Sequence, residues 1–186
     1  FPTAVLSVDT YRSSVARAAV DAGADMINDV SGGQLDEQMF ATIAELQVPY
    51  VLMHMQGTPE TMQDAPEYVD VTEEVLSFFI QRLDTLRRIG VHDVIVDPGF
   101  GFGKSLEHNY QLLSDLDQFQ VLGVPILCGF SRKSMINKVL GTSPEEALNG
   151  TTVLNTLALL RGVNILRVHD VKEASEAVKL TAALPA

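Results

Sequence analysis

The sequence predicts an α/β protein built on a parallel β-sheet, and three features of the chain support that fold class. Short apolar segments alternate six times with segments of helical periodicity. Nearly all of the apolar segments are hydrophobic on both faces, as parallel strands covered by helices are. With 186 residues, 46% of them hydrophobic, the chain can bury a core of its own. A doubly wound sheet and a (β/α)8 barrel both satisfy this pattern.

The number of units favours a TIM (β/α)8 barrel that lacks its first two βα units. A complete barrel takes about 250 residues, at roughly 30 residues per unit. This chain has six units, begins with Phe1 and opens almost directly into a strand, so we expect that its beginning has been cut away. We therefore predict a single partial (β/α) barrel domain over residues 1–186, without a linker, a repeat or a domain boundary.

Each predicted strand is a short apolar run that ends at a polar or turn residue. The strands are predicted over residues 4–8, 25–29, 49–53, 94–96, 125–129 and 164–168. Between them, apolar residues recur at helical spacing, and the helices have recognisable starts and stops. The predicted caps are Asp36, Asp70 with Glu73, Ser131, Ser143 with Glu146, and Asp170 with Glu173. The predicted stops are Gly23, Gly90, Gly141 and Gly162, and one helix is expected to carry Leu112, Leu113, Leu116 and Phe119.

Composition and charge exclude several classes of function. The net charge of −11 argues against non-specific binding to nucleic acid or to an anionic membrane, since both are gripped by basic surfaces. No apolar run reaches the ~18 residues of a membrane span, and no signal-peptide pattern occurs. The single cysteine, Cys128, lies in an apolar run, which excludes an internal disulfide and predicts a buried thiol in a reducing cytoplasm.

The segment after the fourth strand is the most informative stretch of the chain. Asp97 lies at the carboxyl end of a predicted buried strand. It is followed by Pro98 and by alternating Gly and Phe residues as far as Lys104. Glycines allow close approach to the backbone, and Phe100 and Phe102 offer flat apolar faces, which suits a planar heteroaromatic ligand. A phosphate-binding loop is a weaker alternative, because Pro98 stands where its first Gly is required. A tight connection without any ligand also stays open.

Polar side chains follow every predicted strand, at the end where the chemistry of a barrel collects. They are Asp9, Asn28, His54, Asp97, Ser131 with Lys133, and Arg167 with His169. Each alone could be a turn cap or half of a surface ion pair. Arg167 and His169, however, flank one apolar residue and therefore point to the same face of an extended strand.

The types of these side chains indicate what they could bind. Two carboxylates and an amide suit the N–H-rich edge of an aminopyrimidine ring, because a carboxylate accepts two parallel N–H bonds. The cations Lys133, Arg167 and His169 suit a phosphate or a pyrophosphate, and barrels often bind phosphate after their last two strands. The four histidines lack the spacing of a zinc site.

Six motifs, in order along the whole chain, resemble those of the dihydropteroate synthase family of pterin-binding barrels. They are Ser7–Thr10, Ile27–Val30, Met53–Gly57, Asp97–Lys104, Ser131–Ser134 and Arg167–Val171. The resemblance implies a transferase of folate biosynthesis, which condenses 6-hydroxymethyl-7,8-dihydropterin pyrophosphate with p-aminobenzoate to give 7,8-dihydropteroate and pyrophosphate. It also implies Mg²⁺ as cofactor, small-molecule substrates as the partners, and a homodimer.

The resemblance further implies a role for each strand-end residue. Asp9, Asn28 and Asp97 would hold the pterin, Lys133 would bridge pterin and phosphate, and Arg167 and His169 would hold the pyrophosphate. Lys133, Arg167 and His169 would be the catalytic group, while Phe102 and Ser131 would lie near p-aminobenzoate. The Asn of the family that helps to hold Mg²⁺ belongs to the first two units, so no metal ligand is expected in this chain. The alternatives are a pterin-binding barrel that transfers a methyl group from methyltetrahydrofolate, and a truncated chain that binds pterin without catalysis.

Overall fold

The strands of this protein lie side by side in chain order and run parallel. The structure, a computed structural model, describes residues 3–57 and 66–185. Within these ranges the strands are β1 (Ser7–Asp9), β2 (Met26–Asp29), β3 (Tyr50–Met53), β4 (Val94–Asp97), β5 (Leu127–Cys128) and β6 (Ile165–Leu166). Strands β1 to β4 form one sheet, β5 pairs with β6, and a bridge between Val96 and Ile126 joins the two sheets. This arrangement confirms the predicted partial barrel.

Helices connect the successive strands and cover the outside of the sheet. They are α1 (Ser13–Asp21), α2 (Met39–Leu46), α3 (Val71–Arg88), α4 (Leu106–Ser114), α5 (Ser134–Leu140), α6 (Leu148–Leu160) and α7 (Val171–Ala182), with short 3₁₀ helices at Leu116–Leu122 and Pro144–Glu146. One contiguous cluster of buried apolar side chains fills the space between strands and helices, and it includes Ile27, Tyr50, Leu52, Phe79, Val96 and Phe119. No helix of the described ranges is both long and apolar enough to cross a membrane.

The first strand differs from the prediction that the strands are buried on both faces. Val5 and Leu6, just before β1, are 70% and 55% exposed. Strand β1 is hydrogen bonded only to β2 within the described residues, so its other edge stays open. The sequence pattern therefore predicted a strand here, over residues 4–8 where the structure has Ser7–Asp9, but did not predict its exposure.

The cap of α3 is confirmed in one half and wrong in the other. Asp70 accepts hydrogen bonds from the backbone N–H groups of Thr72 and Glu73, at 2.9 and 3.0 Å. The reciprocal hydrogen bonds of the cap involve Glu74 rather than Glu73. The Glu74 carboxylate accepts them from the N–H groups of Val69 and Asp70. The reciprocal cap is thus shifted by one residue.

Two other predicted caps are wrong, because both side chains find partners across the neighbouring loop. Helix α5 begins at Ser134, and the Ser131 hydroxyl accepts instead from the N–H of His169 at 3.1 Å. The Asp170 carboxylate receives no bond from α7 and binds the guanidinium of Arg132. These bonds join the loop after β5 to the loop after β6.

The remaining helix boundaries differ from the prediction in detail. The helix expected to run as far as Phe119 breaks at Asp115 and continues as a 3₁₀ helix. The capping box of Ser143 and Glu146 is confirmed, but it closes a 3₁₀ turn ahead of α6. Asp36 accepts from the N–H groups of Gln38 and Ser13 and lies three residues before Met39, the first residue of α2.

Candidate functional site

A cavity of about 460 Å³ opens at the carboxyl ends of β3 to β6. Its lining consists of Met53, Asp97, Phe102, Gly129, Ser131, Lys133, Arg167, Val168 and His169. Six of the eight site residues predicted from the sequence are among them. The other two, Asp9 and Asn28, line an adjacent cavity of about 230 Å³, and Arg167 contributes to both cavities. The parallel topology thus brings all eight side chains to one rim.

A short polar chain joins the two cavities. The side-chain N–H of Asn28 donates to Asp9 Oδ1 at 2.9 Å, and the Arg167 guanidinium donates to Asp9 Oδ2 at 2.5 Å. Asn28 is buried, whereas the side chains of Asp9 and Arg167 are 50% and 53% exposed. An exposed ion pair contributes little stability, so Arg167 can exchange Asp9 for a ligand anion at small cost.

Asp97 is the buried acid of the larger cavity. The residue is 6% exposed, and Oδ1 accepts a hydrogen bond from the N–H of Gly99 at 2.8 Å. Burial raises the pKa of the Asp97 carboxyl, while the nearby ammonium of Lys133 and the Gly99 hydrogen bond act in the opposite direction. The carboxylate is thus held in a fixed orientation at the end of β4.

Lys133 closes the cavity against the glycine-rich loop. Its ammonium donates to the Phe100 carbonyl at 2.5 Å and lies 5.0 Å from the centroid of the Phe102 ring. Burial lowers the pKa of Lys133, and the negative charge of Asp97 opposes this effect. The lysine, the acid and the aromatic ring therefore form one wall.

Glycines in this loop were expected to allow the close approach of a ligand, but they mainly allow close packing within the protein. Gly99, Gly101 and Gly103 all have positive φ, at 71°, 82° and 61°. A Cβ at Gly99 would overlap the backbone oxygen of His54, and one at Gly103 would overlap that of Gln56. A Cβ at Gly101 would make only an ordinary van der Waals contact, at 3.5 Å from the Lys133 side chain. Two of the three glycines thus allow packing against the loop after β3 rather than against a ligand.

Two buried side chains beneath the loop were not recognised from the sequence as partners. Lys104 is 4% exposed, and its ammonium contacts His54 Nδ1 at 3.0 Å and the carbonyls of Gly99 and Phe102 at 3.1 Å each. Burial lowers the pKa of Lys104 to about 7, and Asp97 opposes this effect. Burial, and then the Lys104 charge, lower the pKa of His54 to about 2.

These contacts decide between the alternatives for the loop. The three N–H groups of the Lys104 ammonium are matched by three acceptors within the fold, so none is left for a phosphate. The phosphate-loop alternative is therefore wrong. His54 also lies under the loop, outside the cavity lining, although it follows a strand as the site residues do.

Arg132 is a second residue whose position the sequence did not reveal. Its guanidinium binds both oxygens of Asp170, at 3.1 and 2.9 Å, and donates to the carbonyls of Pro144 and Glu145. This clamp fixes the loop that carries Lys133 to the loop after β6. The only signal in the sequence was that Arg132 and Asp170 both fall within motifs that resemble those of the family.

Comparison with known proteins gives consistent matches. The family model described as pterin binding enzyme matches residues 1–169. The dihydropteroate synthase of Escherichia coli (strain K12) is 43% identical over 180 residues, which cover 96% of this chain and 64% of the relative. That of Synechocystis sp. is 42% identical over 96% of this chain and 63% of the relative. The chain therefore spans slightly less than two thirds of these relatives.

Solved structures agree with the curated relatives. The Yersinia pestis dihydropteroate synthase in a sulfonamide drug complex has a TM-score of 0.92 and 39% identity, over 96% of this chain and 66% of that one. The Xanthomonas albilineans enzyme in complex with 7,8-dihydropteroate has a TM-score of 0.89 and 42% identity, over 97% of this chain and 68% of that one. The likeness therefore includes the backbone as well as the sequence.

Proposed function

Because the chain belongs to the pterin binding enzyme family, we propose that it provides the pterin and diphosphate sites of a dihydropteroate synthase. In the proposed reaction the amino nitrogen of p-aminobenzoate attacks the methylene carbon of 6-hydroxymethyl-7,8-dihydropterin pyrophosphate. A C–N bond forms, the C–O bond to pyrophosphate breaks, and the nitrogen loses a proton. The products are 7,8-dihydropteroate and pyrophosphate.

The proposal rests on the set of side chains that share one cavity at the carboxyl ends of the strands. A buried, oriented carboxylate, Asp97, lies in the same cavity as Lys133, Arg167 and His169. A carboxylate suits the N–H edge of a pterin, and the cations suit the diphosphate attached to it. A Xanthomonas albilineans dihydropteroate synthase of similar structure has been solved with 4-aminobenzoic acid, which supports the second substrate.

The pterin is assigned to the acid and amide side chains. We assign the main N–H pair of the pterin to Asp97, because its Gly99 hydrogen bond fixes the plane of the carboxylate. Asn28 and Asp9 complete the pterin site from the adjacent cavity, where Asn28 already donates to Asp9. All three groups act by binding and orientation.

The leaving pyrophosphate is assigned to the cations. Bond breaking at the methylene carbon develops negative charge on the departing oxygen, while the electron-rich dihydropterin delocalises the positive charge. Lys133, Arg167 and His169 stabilise the negative charge because they are in place before the reaction begins. The aniline nitrogen is neutral near pH 7 and needs no strong base. Phe102 and Ser131, which line the same cavity, are assigned to p-aminobenzoate.

We propose that Mg²⁺ binds to the diphosphate of the substrate, because its oxygens are hard ligands of the kind that Mg²⁺ prefers. The described ranges contain no group of three His, Cys, Asp or Glu side chains that could hold a metal ion. The carboxylates nearest the diphosphate site, Asp9 and Asp97, already accept hydrogen bonds. The described residues therefore do not fit a metal site built by the protein alone.

The remaining parts of the proposal concern assembly and location. We propose a homodimer, because a groove of about 360 Å³ between α6 and α7 exposes Leu160, Leu180 and Leu184. Residues 1–186 are proposed to form one domain of a cytoplasmic protein that binds neither membranes nor nucleic acid, in line with the charge of −11. Sedimentation at micromolar concentration tests the dimer: a monomer would contradict it.

Two substitutions separate the pterin site from the anion site. Asp97→Asn should weaken binding of 6-hydroxymethyl-7,8-dihydropterin by about 10- to 100-fold, since an amide cannot accept two N–H bonds side by side. Asp93→Asn, at the exposed opposite end of β4, is the matched control. Calorimetric titration measures both, and equal pterin affinity of Asp97→Asn and the parent would contradict the assignment.

Arg167→Ala should weaken binding of the pyrophosphorylated pterin by about 10-fold or more and leave the bare pterin nearly unchanged. Arg88→Ala, in an exposed ion pair on α3, is the matched control. An equal loss for both ligands would remove Arg167 from the anion site.

A pyrophosphate-release assay separates the synthase from the two alternatives. The 186-residue chain is tested alone and fused to the part of the Escherichia coli relative that the match leaves uncovered. Release that needs p-aminobenzoate supports the synthase. Pterin binding without release in either form supports a non-catalytic chain, and methyl transfer from methyltetrahydrofolate supports the methyltransferase. The cluster of Lys133, Arg167 and His169 favours the synthase, because a methyl transfer releases no anion.

A further inference from the structure

The glycine-rich loop is held from below by a buried ammonium group. Lys104 Nζ has three acceptors at ordinary hydrogen-bond distance, His54 Nδ1 at 3.0 Å and the carbonyls of Gly99 and Phe102 at 3.1 Å. Three N–H groups and three acceptors match, which explains how a lysine that is only 4% exposed is tolerated inside the fold.

The same loop also contributes to the candidate site, because Phe102 and Lys133 line its cavity. The Phe100 carbonyl accepts from a different lysine, Lys133, at 2.5 Å, and the centroid of the Phe102 ring lies 5.0 Å from the same ammonium. Two lysines therefore bind carbonyl groups of the same short segment, Lys104 at Gly99 and Phe102, and Lys133 at Phe100. Moving the Gly99 or Phe102 carbonyl would displace the groups that contact Lys133.

We propose that Lys104 is a positioning residue, which holds the segment from Gly99 to Phe102 in the conformation that aims the Phe100 carbonyl and the Phe102 ring at Lys133. It touches no proposed substrate and acts through the loop. The effect on ligand binding rests on the proposed function, whereas the effect on the loop does not.

Other contacts of the loop do not replace this clamp. The Tyr68 hydroxyl donates to the Gly103 carbonyl at 2.8 Å, and Asn109 Oδ1 accepts from the N–H of Gly101 at 2.7 Å. Neither reaches the carbonyls of Gly99 or Phe102, which are the two that Lys104 binds. The N–H of Phe102 also donates to the Gly99 carbonyl at 3.1 Å, so loss of the ammonium would leave the Gly99 carbonyl with that bond but remove the bond that the Phe102 carbonyl accepts from Lys104.

The test is amide hydrogen exchange in the free protein, which needs no ligand. Lys104→Met keeps the volume of the side chain and removes its donors. We expect exchange over residues 99–104 to rise by about 10-fold or more, while exchange over residues 26–29 stays within about twofold. Lys172→Met, whose side chain is 80% exposed on α7, is the matched control. Unchanged exchange in the loop, or an equal rise in both segments, would overturn the proposal.

A conservative variant and a binding measurement complete the experiment. Lys104→Gln keeps two N–H donors and is expected to lie between the parent and Lys104→Met in loop exchange; it also carries the test if the Met variant does not fold. A Gln variant that exchanges faster than the Met variant would contradict a donor role. Affinity for 6-hydroxymethyl-7,8-dihydropterin should fall by about 10-fold in Lys104→Met. If the parent itself binds no pterin, the proposed function fails, while the exchange data still decide the role of Lys104.

Discussion

The buried imidazole of His54 predicts a specific sensitivity of the fold to acid. His54 is 7% exposed, accepts from the Lys104 ammonium and packs edge-on against Phe78 at 5.0 Å. Burial and the neighbouring charge lower the pKa of His54 to about 2. In the unfolded chain the same imidazole binds a proton below pH ~6.5. Between these two pKa values, unfolding is accompanied by the uptake of one proton. The contribution of His54 to the free energy of unfolding is therefore fully present above pH ~6.5 and is lost as the pH falls.

The size of the effect follows from the same two values. One pH unit within this window is equivalent to about 1.4 kcal/mol for one proton. At pH 4, about 2.5 units below the unfolded pKa, the loss is therefore roughly 3 kcal/mol from His54 alone. Such a loss is a large part of the ~5–15 kcal/mol that stabilises an ordinary domain.

The assay is urea unfolding at pH 7 and pH 4, followed by circular dichroism. His54→Gln cannot take up the proton, so its free energy of unfolding should fall less between the two pH values than that of the parent, by roughly 3 kcal/mol. His92→Gln, at an exposed position, should behave as the parent does. Carboxylates titrate alike in all three proteins and cancel in the comparison. An equal loss in the parent and in His54→Gln would refute the buried neutral imidazole.

Three further predictions follow from the core and the loops. Phe119→Ala should lower the free energy of unfolding, measured by urea titration, by about 3–5 kcal/mol, because Phe119 is fully buried. The control Val121→Ala, at a residue that is 77% exposed, should change it by under ~0.5 kcal/mol. Gly99→Ala should lose more stability in the same titration than Gly141→Ala, because both have positive φ but only a Cβ at Gly99 meets other atoms; equal losses would mean that backbone strain alone decides. Cys128, fully buried with its thiol pKa raised well above the ordinary value, should react with a thiol reagent only after unfolding, and fast native labelling would contradict its burial.

Most of the fold was predictable because the signals that define it are local. Runs of apolar residues located all six strands, and the parallel order brought Asp97, Lys133 and Arg167 to one rim without any knowledge of their contacts. The caps that failed, Ser131 and Asp170, failed because each partner lies 38 residues away in sequence. A local rule can recognise a side chain able to cap a helix, but it cannot detect a competing partner from another loop.

The glycine-rich loop shows the same limit at the candidate site. The sequence predicted close approach at Gly99 and Gly103, and the approach is real, but it is to the backbone after β3. Likewise, the residues next to Lys104 in sequence suggest a phosphate ligand, while its actual acceptors include His54, 50 residues earlier. The local sequence shows which residues need an unusual backbone conformation. Which atoms pack against those residues depends instead on the register of adjacent strands.

The two halves of the rim differ in how firmly they are held, and this difference bears on how a ligand would bind. Asp97 is buried and oriented by Gly99, and Lys133 is anchored on the Phe100 carbonyl, so the groups assigned to the pterin side and the bridge are fixed before binding. Arg167 is half-exposed and paired only with the equally exposed Asp9 in the described structure around it. Breaking that pair costs little, and a diphosphate offers a stronger partner than one solvated carboxylate. Binding of the diphosphate would therefore release Asp9 from Arg167, which couples the anion site to the acid next to Asn28.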